Sequence, residues 1–332
     1  MDKIKKFYAN NKEMGRLVLI IILWLIFMGM TQAKKFYTGA NFLTMAAQFP
    51  EYGLMALGGM LCMMTGGIDL SVVGTANITS ILIVFLLNSV FPAGSMPMGF
   101  SIVIFILAFV VGAVVGSFNA FLIAKLKVPP ILATLGVNEL LTGFCIVMTG
   151  GSVVTPEVKD FSDVLSGNIA GFLPWRLLIF LIVAAIIWFM LERMTYGTKL
   201  RLYGTNSHVA EFSGINTVGL LFKTYIISAM CAALGGLVMM ITYSSARADY
   251  GTNYTMQSIL IIVLGGVSPN GGKGKLSGVV TAIVLLKMIE SGINRFRNVS
   301  TYYVTLIWGA VLILALVLDY FASKPKKVKA KA

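Results

Sequence analysis

Ten apolar runs joined by short polar connections restrict what this chain can become: 17–33, 42–65, 71–91, 99–124, 129–149, 174–191, 217–243, 256–268, 276–294 and 301–321. A helix crossing a bilayer needs about 20 mainly apolar residues, and nothing but helices or closed barrels satisfies the backbone inside lipid. Most runs reach that length without the strict alternation of a barrel strand, so the expected fold is all-α and polytopic, with about ten transmembrane helices. Composition agrees, since charged residues make up 12% of the 332 against about 25% in soluble domains. The longest polar stretches, 155–171 and 192–216, are too short to bury a core of their own. The expected organisation is an N-terminal segment 1–16, a single transmembrane domain 17–321 and a basic tail 322–332, with no room for a separate catalytic domain.

The net charge of +13 does not point to nucleic acid, because no Lys/Arg cluster is interleaved with aromatics on a polar face. It reads as topology. With ten spans, eighteen of the 26 Lys and Arg fall on the side of the termini, including Arg193, Lys199, Arg201, Lys223, Lys273 and the tail lysines 324, 326, 327, 329 and 331, and seven on the other. By the positive-inside rule both termini are cytoplasmic, and the chain is a multi-pass protein of the cell membrane. The first run, behind Lys3, Lys5, Lys6, Lys12 and Arg16, has the outline of a signal peptide; an uncleaved first span is expected, because its removal would leave an odd number of spans. Cys62, Cys145 and Cys231 lie inside apolar runs without a CxxC pair and read as small core residues. The sole histidine, His208, sits in a polar loop, so no metal and no cofactor is expected.

Two runs end in helix-breaking sequence: Thr65-Gly66-Gly67-Ile68-Asp69-Leu70-Ser71 after the second, and Gly265-Gly266-Val267-Ser268-Pro269-Asn270-Gly271-Gly272 after the eighth. Irregular backbone at membrane depth survives only where protein or a water-filled cavity satisfies it, and paired interruptions are a mark of transporters built from repeats. Close packing through small residues is the competing reading for Gly58-Gly59, Gly112, Gly116 and Gly235-Gly236. Intramembrane carboxylates and lysines are costly and face protein, water or a partner charge. Lys287 and Glu290, three residues apart, are expected to pair on one helix face. Asp69 is expected to cap the helix restarting after Ser71, a role compatible with lining a pathway.

The stretch Gly66 to Gly74, GGIDLSVVG, resembles the GGIDLSVG signature of permease subunits of ribose-type ATP-binding-cassette importers. Further likenesses follow in order: Val128 to Gly136 is similar to the family's VPPFIATLG, Phe212-Ser213-Gly214-Ile215-Asn216 to the end of its NEEAARLSGIN loop, Leu264 to Gly274 to its VLGGxSxxGGKG, and Ser300 to Tyr303 to a tyrosine-bearing start of the last span. The resemblance covers about 41–321. It implies a transmembrane domain of the vitamin-B12-importer-like type, forming half a pore. It also implies partners: a second permease subunit, identical or paralogous, two ATPase subunits and an extracytoplasmic solute-binding protein. The ATPase is not here, since no GxxxxGK(S/T) cradle occurs. The resemblance places the ATPase-coupling element at Asn206, His208, Val209, Ala210, Glu211, Phe212, Ser213 and Gly214, within the loop 192–216; Ser207, His208 and Glu211 depart from the family's residues there. It implies a cargo among pentoses, hexoses and related polyols, for which Thr65, Gly66, Gly67, Asp69, Ser71, Asn77, Asn138 and Glu139 are the expected pathway residues. A secondary transporter driven by protons or sodium is the alternative, with Asp69, Glu139 or Glu290 as its titrating group. An intramembrane enzyme has neither HExxH nor a Ser/His/Asp set to work with.

Overall fold

In the computed structural model of the chain the described residues are 12–91, 95–158, 167–169 and 173–296, with 303, 306–310, 313 and 317 of the final apolar run. That run, the N-terminal segment before Lys12 and the basic tail therefore lie outside or largely outside the described residues. Among the described residues before the final run, thirteen α-helices follow in order: α1 Lys12–Thr31, α2 Ala33–Phe36, α3 Gly39–Gln48, α4 Pro50–Met64, α5 Val72–Val90, α6 Ser101–Ala120, α7 Pro130–Thr149, α8 Trp175–Glu192, α9 Thr195–Thr205, α10 Ser207–Phe212, α11 Thr217–Tyr243, α12 Tyr254–Leu264 and α13 Leu276–Ile293. A π turn, Phe121–Lys125, extends α6. A two-stranded hairpin, β1 Asn168–Ile169 with β2 Leu173–Pro174, precedes α8. Among the described residues seven helices are long and apolar enough to cross a membrane, which makes this an all-α polytopic membrane protein.

Of the three remaining expected spans the final run lies largely outside the described residues, and the other two differ in form. The run 42–65 is not one helix: Pro50, which lacks an amide hydrogen, opens a new helix after Phe49, so α3 stops at Gln48 and α4 starts afresh. The run 256–268 is the 11-residue α12, about 16 Å long at 1.5 Å per residue, half the thickness of a hydrocarbon core.

The 27-residue α11 is the axis of the bundle, and α4, α5 and α6 pack around it. Their contact is made by missing side chains. A Cβ on Gly112 or Gly116 of α6 would run into the α11 backbone at Met230 and Ile226, one on Gly58 of α4 into Ser228, and one on Gly236 of α11 into Ala76 of α5. Without a hydrophobic driving force between helices in lipid, this backbone approach supplies the packing energy. All 15 residues of α4 are buried, Glu51 included. On the far side α1 packs against α13, where the Trp24 indole donates to the Met288 carbonyl at 3.0 Å.

Candidate functional site

The two interruptions have the same geometry. At the end of α4 the Gly66 amide donates to Met63 O at 2.9 Å and the Gly67 amide to Cys62 O at 3.2 Å, with Gly66 at φ +82°. At the end of α12 the Gly266 amide donates to Val263 O at 2.9 Å and the Val267 amide to Ile262 O at 3.1 Å, with Gly266 at φ +83°. Both are Schellman closures, whose left-handed residue glycine alone occupies without strain. Gly265, just before, lies against Gly278 at the start of α13.

The two breaks then meet. The Gly272 amide donates to the Met64 carbonyl at 2.9 Å. A Cβ on Gly271 would sit 2.8 Å from the Gly66 nitrogen and 2.7 Å from the Gly204 carbonyl, and one on Gly204 would overlap Met64 O and Gly272 N. Both broken helices therefore touch the last turn of α9 backbone to backbone. Gly204 escapes a sequence reading, because a lone glycine near a helix end looks like any other.

Beyond the first break the chain is held by side chains from three helices. Asp69, 5% exposed, accepts from the Ser71 amide at 3.0 Å and the Ser71 hydroxyl at 2.7 Å through Oδ1, and from the Ser228 hydroxyl of α11 at 2.8 Å through Oδ2. Asn119 of α6 donates to Ser71 Oγ at 2.8 Å. The expected capping is thus local to Ser71 and does not reach the first turn. That turn is capped from another helix: Asn138 Oδ1 of α7 accepts the Gly74 amide at 3.0 Å, an approach that a Cβ on Gly74 would block. Thr134, also of α7, accepts the Leu70 amide at 3.0 Å. Ser228 and Asn119 carry no signal in the sequence, since isolated polar residues in spans are common, and Thr134, although inside the Val128 to Gly136 stretch, does not display its partner there; only packing brings the three to the segment 69–71.

The other expected pathway residues scatter. Thr65 turns its hydroxyl back to Cys62 O at 2.6 Å. A Cβ on Gly67 would meet the Tyr225 hydroxyl, which is buried without a hydrogen-bond partner. Asn77 spends its amide on the Ala248 and Tyr250 carbonyls at 2.8 and 3.0 Å, tying α5 to the loop after α11. Glu139 is exposed in the middle of α7, on a face shared with Leu132, Gly136, Gly143 and Val147, where Gly136 and Gly143 meet nothing within 4 Å. Pro269 sits in the turn of the second break.

The segment expected to couple to an ATPase is a discrete six-residue helix, α10. Asn206 caps it, its Oδ1 accepting the His208 and Val209 amides at 3.0 and 3.1 Å. Gly214 ends it at φ +75°, with the Ile215 amide donating to Ala210 O at 3.2 Å. Ala210 is fully buried against the bundle, whereas Val209 is 47% and Phe212 92% exposed. His208, Glu211 and Ser213 are exposed as well.

The family model described as the branched-chain amino acid transport system / permease component matches residues 41–316. The chain belongs to this family. It is a transport permease component and not an enzyme, in accord with a site made of helix breaks and small residues. The ribose import permease protein of Escherichia coli (strain K12) is 29% identical over 319 residues, 95% of this chain and 96% of the relative. The galactose/methyl galactoside import permease protein of Haemophilus influenzae is 29% identical over 340 residues, 98% and 99% of the two chains. The autoinducer 2 import system permease protein of Yersinia enterocolitica is 31% identical over 271 residues, 80% and 79%. No solved structure matches the chain.

Proposed function

We propose that this chain is the transmembrane permease subunit of an ATP-driven importer for a small sugar or sugar-like solute, of the vitamin-B12-importer-like type. It spans the membrane ten times with both termini cytoplasmic, and works with a second permease subunit, two ATPase subunits and an extracytoplasmic solute-binding protein. The ribose, galactose and autoinducer 2 permeases among its relatives support the solute class.

The observation that carries the reading is α10. A short helix with one buried alanine and a bare phenylalanine pointing away from the fold is built to be gripped by something else. Val209 and Phe212, three apart, share one helical face and dock in the ATPase groove. Through α9 and Gly204 that grip reaches both helix breaks, so closure of the ATPase pair on ATP pulls directly on α4 and α12. The exposed face of α7 meets the second subunit and lines the pathway. Glu139 stands at its middle, and a carboxylate there facing lipid would cost about 2.5 kcal/mol or more. The polar groups around Asp69 bind cargo weakly and transiently, leaving selection to the solute-binding protein.

The test is uptake of labelled ribose and galactose by membrane vesicles holding the chain with its neighbouring ATPase and binding protein. Uptake should stop on ATP depletion and persist with an ionophore present. Ionophore-sensitive uptake indifferent to ATP would establish the secondary transporter instead. For the α7 face, Glu139→Cys should cross-link to a second permease subunit with a short bifunctional reagent, and absence of the cross-link in an active complex would refute that interface.

A further inference from the structure

We propose that a cavity between the end of α8 and the starts of α9 and α11 binds an anionic phospholipid, with Lys199 and Lys223 on its phosphodiester and an apolar wall against its glycerol backbone and upper acyl carbons. The lipid belongs to the cytoplasmic leaflet, a side that rests on the topology proposed above.

The cavity is about 290 Å³. Met190 enters it from the last turn of α8, Met194 from the connection to α9, and Ile215 and Leu220 from either side of the start of α11. Of the ten described residues that line it, Lys199 of α9 and Lys223 of α11 are cationic and none is acidic. Both lysines are exposed, and among the described residues neither is engaged in an ion pair. Glu192, which precedes the α8–α9 connection, is already taken by Arg201 at 2.6 Å. The cavity therefore sets two unspent positive charges beside an apolar wall. Inorganic phosphate would match the charges and leave the wall in water, whereas an anionic phospholipid covers both. Basic pockets between membrane helices on the cytoplasmic side are the usual seats of such headgroups.

The depth of the cavity agrees. The span α8 ends at Glu192, and its last turns expose Trp188 and Phe189. The Arg193 guanidinium lies over the Trp188 ring, 5.6 Å from its centroid. A tryptophan at the end of a span marks the headgroup level of the bilayer, and the cavity begins two residues further on, at Met190. A lipid held there bridges α8, α9 and α11, and α9 is the helix whose last turn touches both breaks.

The test is photocross-linking in lipid nanodiscs that hold the full chain with its ATPase subunits. The probes are phosphatidylglycerol and phosphatidylcholine, each with a diazirine near the carboxyl end of one acyl chain. Phosphatidylglycerol should label 190–194 and 215–220 several-fold more than phosphatidylcholine does, while the exposed residues Ile102, Ile106 and Val110 of α6 should take both probes equally. Excess unlabelled phosphatidylglycerol should compete, and inorganic phosphate should not. Lys199→Gln with Lys223→Gln should abolish the preference with α6 labelling unchanged, which shows an intact fold, and Lys199→Arg with Lys223→Arg should restore it. Equal labelling by the two probes in the native chain, or a preference that survives the double glutamine variant, overturns the site. Competition by inorganic phosphate would mean a free-anion site, and labelling that appears only without the ATPase subunits would assign the cavity to that partner; either overturns the lipid. The side is read separately from Lys199→Cys, against a background in which Cys62, Cys145 and Cys231 are buried. A membrane-impermeant thiol reagent should reach it from the cytoplasmic face of vesicles, and reaction from the opposite face alone overturns the topology while leaving the lipid site standing.

Discussion

Replacing Gly204 with alanine adds one methyl group where the end of α9 crosses the two helix breaks. On propensity alone the exchange is favourable, since Gly204 is inside α9 and alanine there is worth about 1 kcal/mol over glycine. Sterically it is not. The new Cβ would overlap the Met64 carbonyl oxygen and the Gly272 nitrogen, and these are backbone atoms that cannot swing aside as a side chain does. Overpacking of this kind costs about 1–3 kcal/mol. Moving Met64 away also breaks its 2.9 Å bond to the Gly272 amide, which removes about 0.5–1.5 kcal/mol more. The balance is a net loss of about 0.5–3.5 kcal/mol, concentrated at the contact through which, in the proposed mechanism, α10 would move α4 and α12. Thermal unfolding of the purified chain in lipid nanodiscs should show a lower midpoint for Gly204→Ala and no loss for Gly29→Ala, whose nearest neighbour would be 3.7 Å away. In the assembled transporter the ATPase subunits should stay bound while solute no longer stimulates hydrolysis. A Gly204→Ala protein that melts at or above the native midpoint and keeps its stimulation would refute the steric argument and the mechanical one together.

Three further outcomes follow from the same geometry. Gly214→Val forces a β-branched residue to φ +75°, at a cost of about 1–2 kcal/mol; the chain should insert normally yet lose co-purifying ATPase, and undiminished recovery of the ATPase would disprove the docking role. Asn138→Ala deprives the Gly74 amide of its cap from α7 and should lower stability by about 1 kcal/mol, read as a depressed melting midpoint; an unchanged midpoint would mean that the cap is redundant. Asp69→Ala strands the Ser71 amide, which unlike the two serine hydroxyls cannot turn to another acceptor, and should cost about 1–3 kcal/mol. Asp69→Asn, which keeps an acceptor oxygen for Ser71, should retain most of the stability that Asp69→Ala loses, and equal losses in the two variants would contradict this account.

Much of the fold was readable because lipid imposes a simple rule on sequence: long apolar runs become helices. The run 217–243 forms a helix with those very bounds, and the glycine-bearing ends of α4 and α12 are broken as their residues require. Gly214 closing α10 and Lys287 pairing with Glu290 were local matters of spacing, and local spacing is what a sequence displays. Two further features are also local but subtler. Pro50 divides a run that hydropathy reads as continuous, and Asp69 spends its oxygens on Ser71 and Ser228 instead of the first turn of α5.

What the tertiary structure alone decided is which distant residues become neighbours. Asn138 caps a helix 64 residues away, Ser228 reaches Asp69 across 159, and Gly204, Gly66 and Gly271 meet from three separate segments. No periodicity encodes these meetings. They arise because helices in lipid gain little from burying apolar surface against one another, so their arrangement is set by where backbones can approach and where buried polar atoms find partners. The sequence by itself determined that the chain is built from apolar helices and where two of them must stop; the packed bundle decided that those two stops would share one junction.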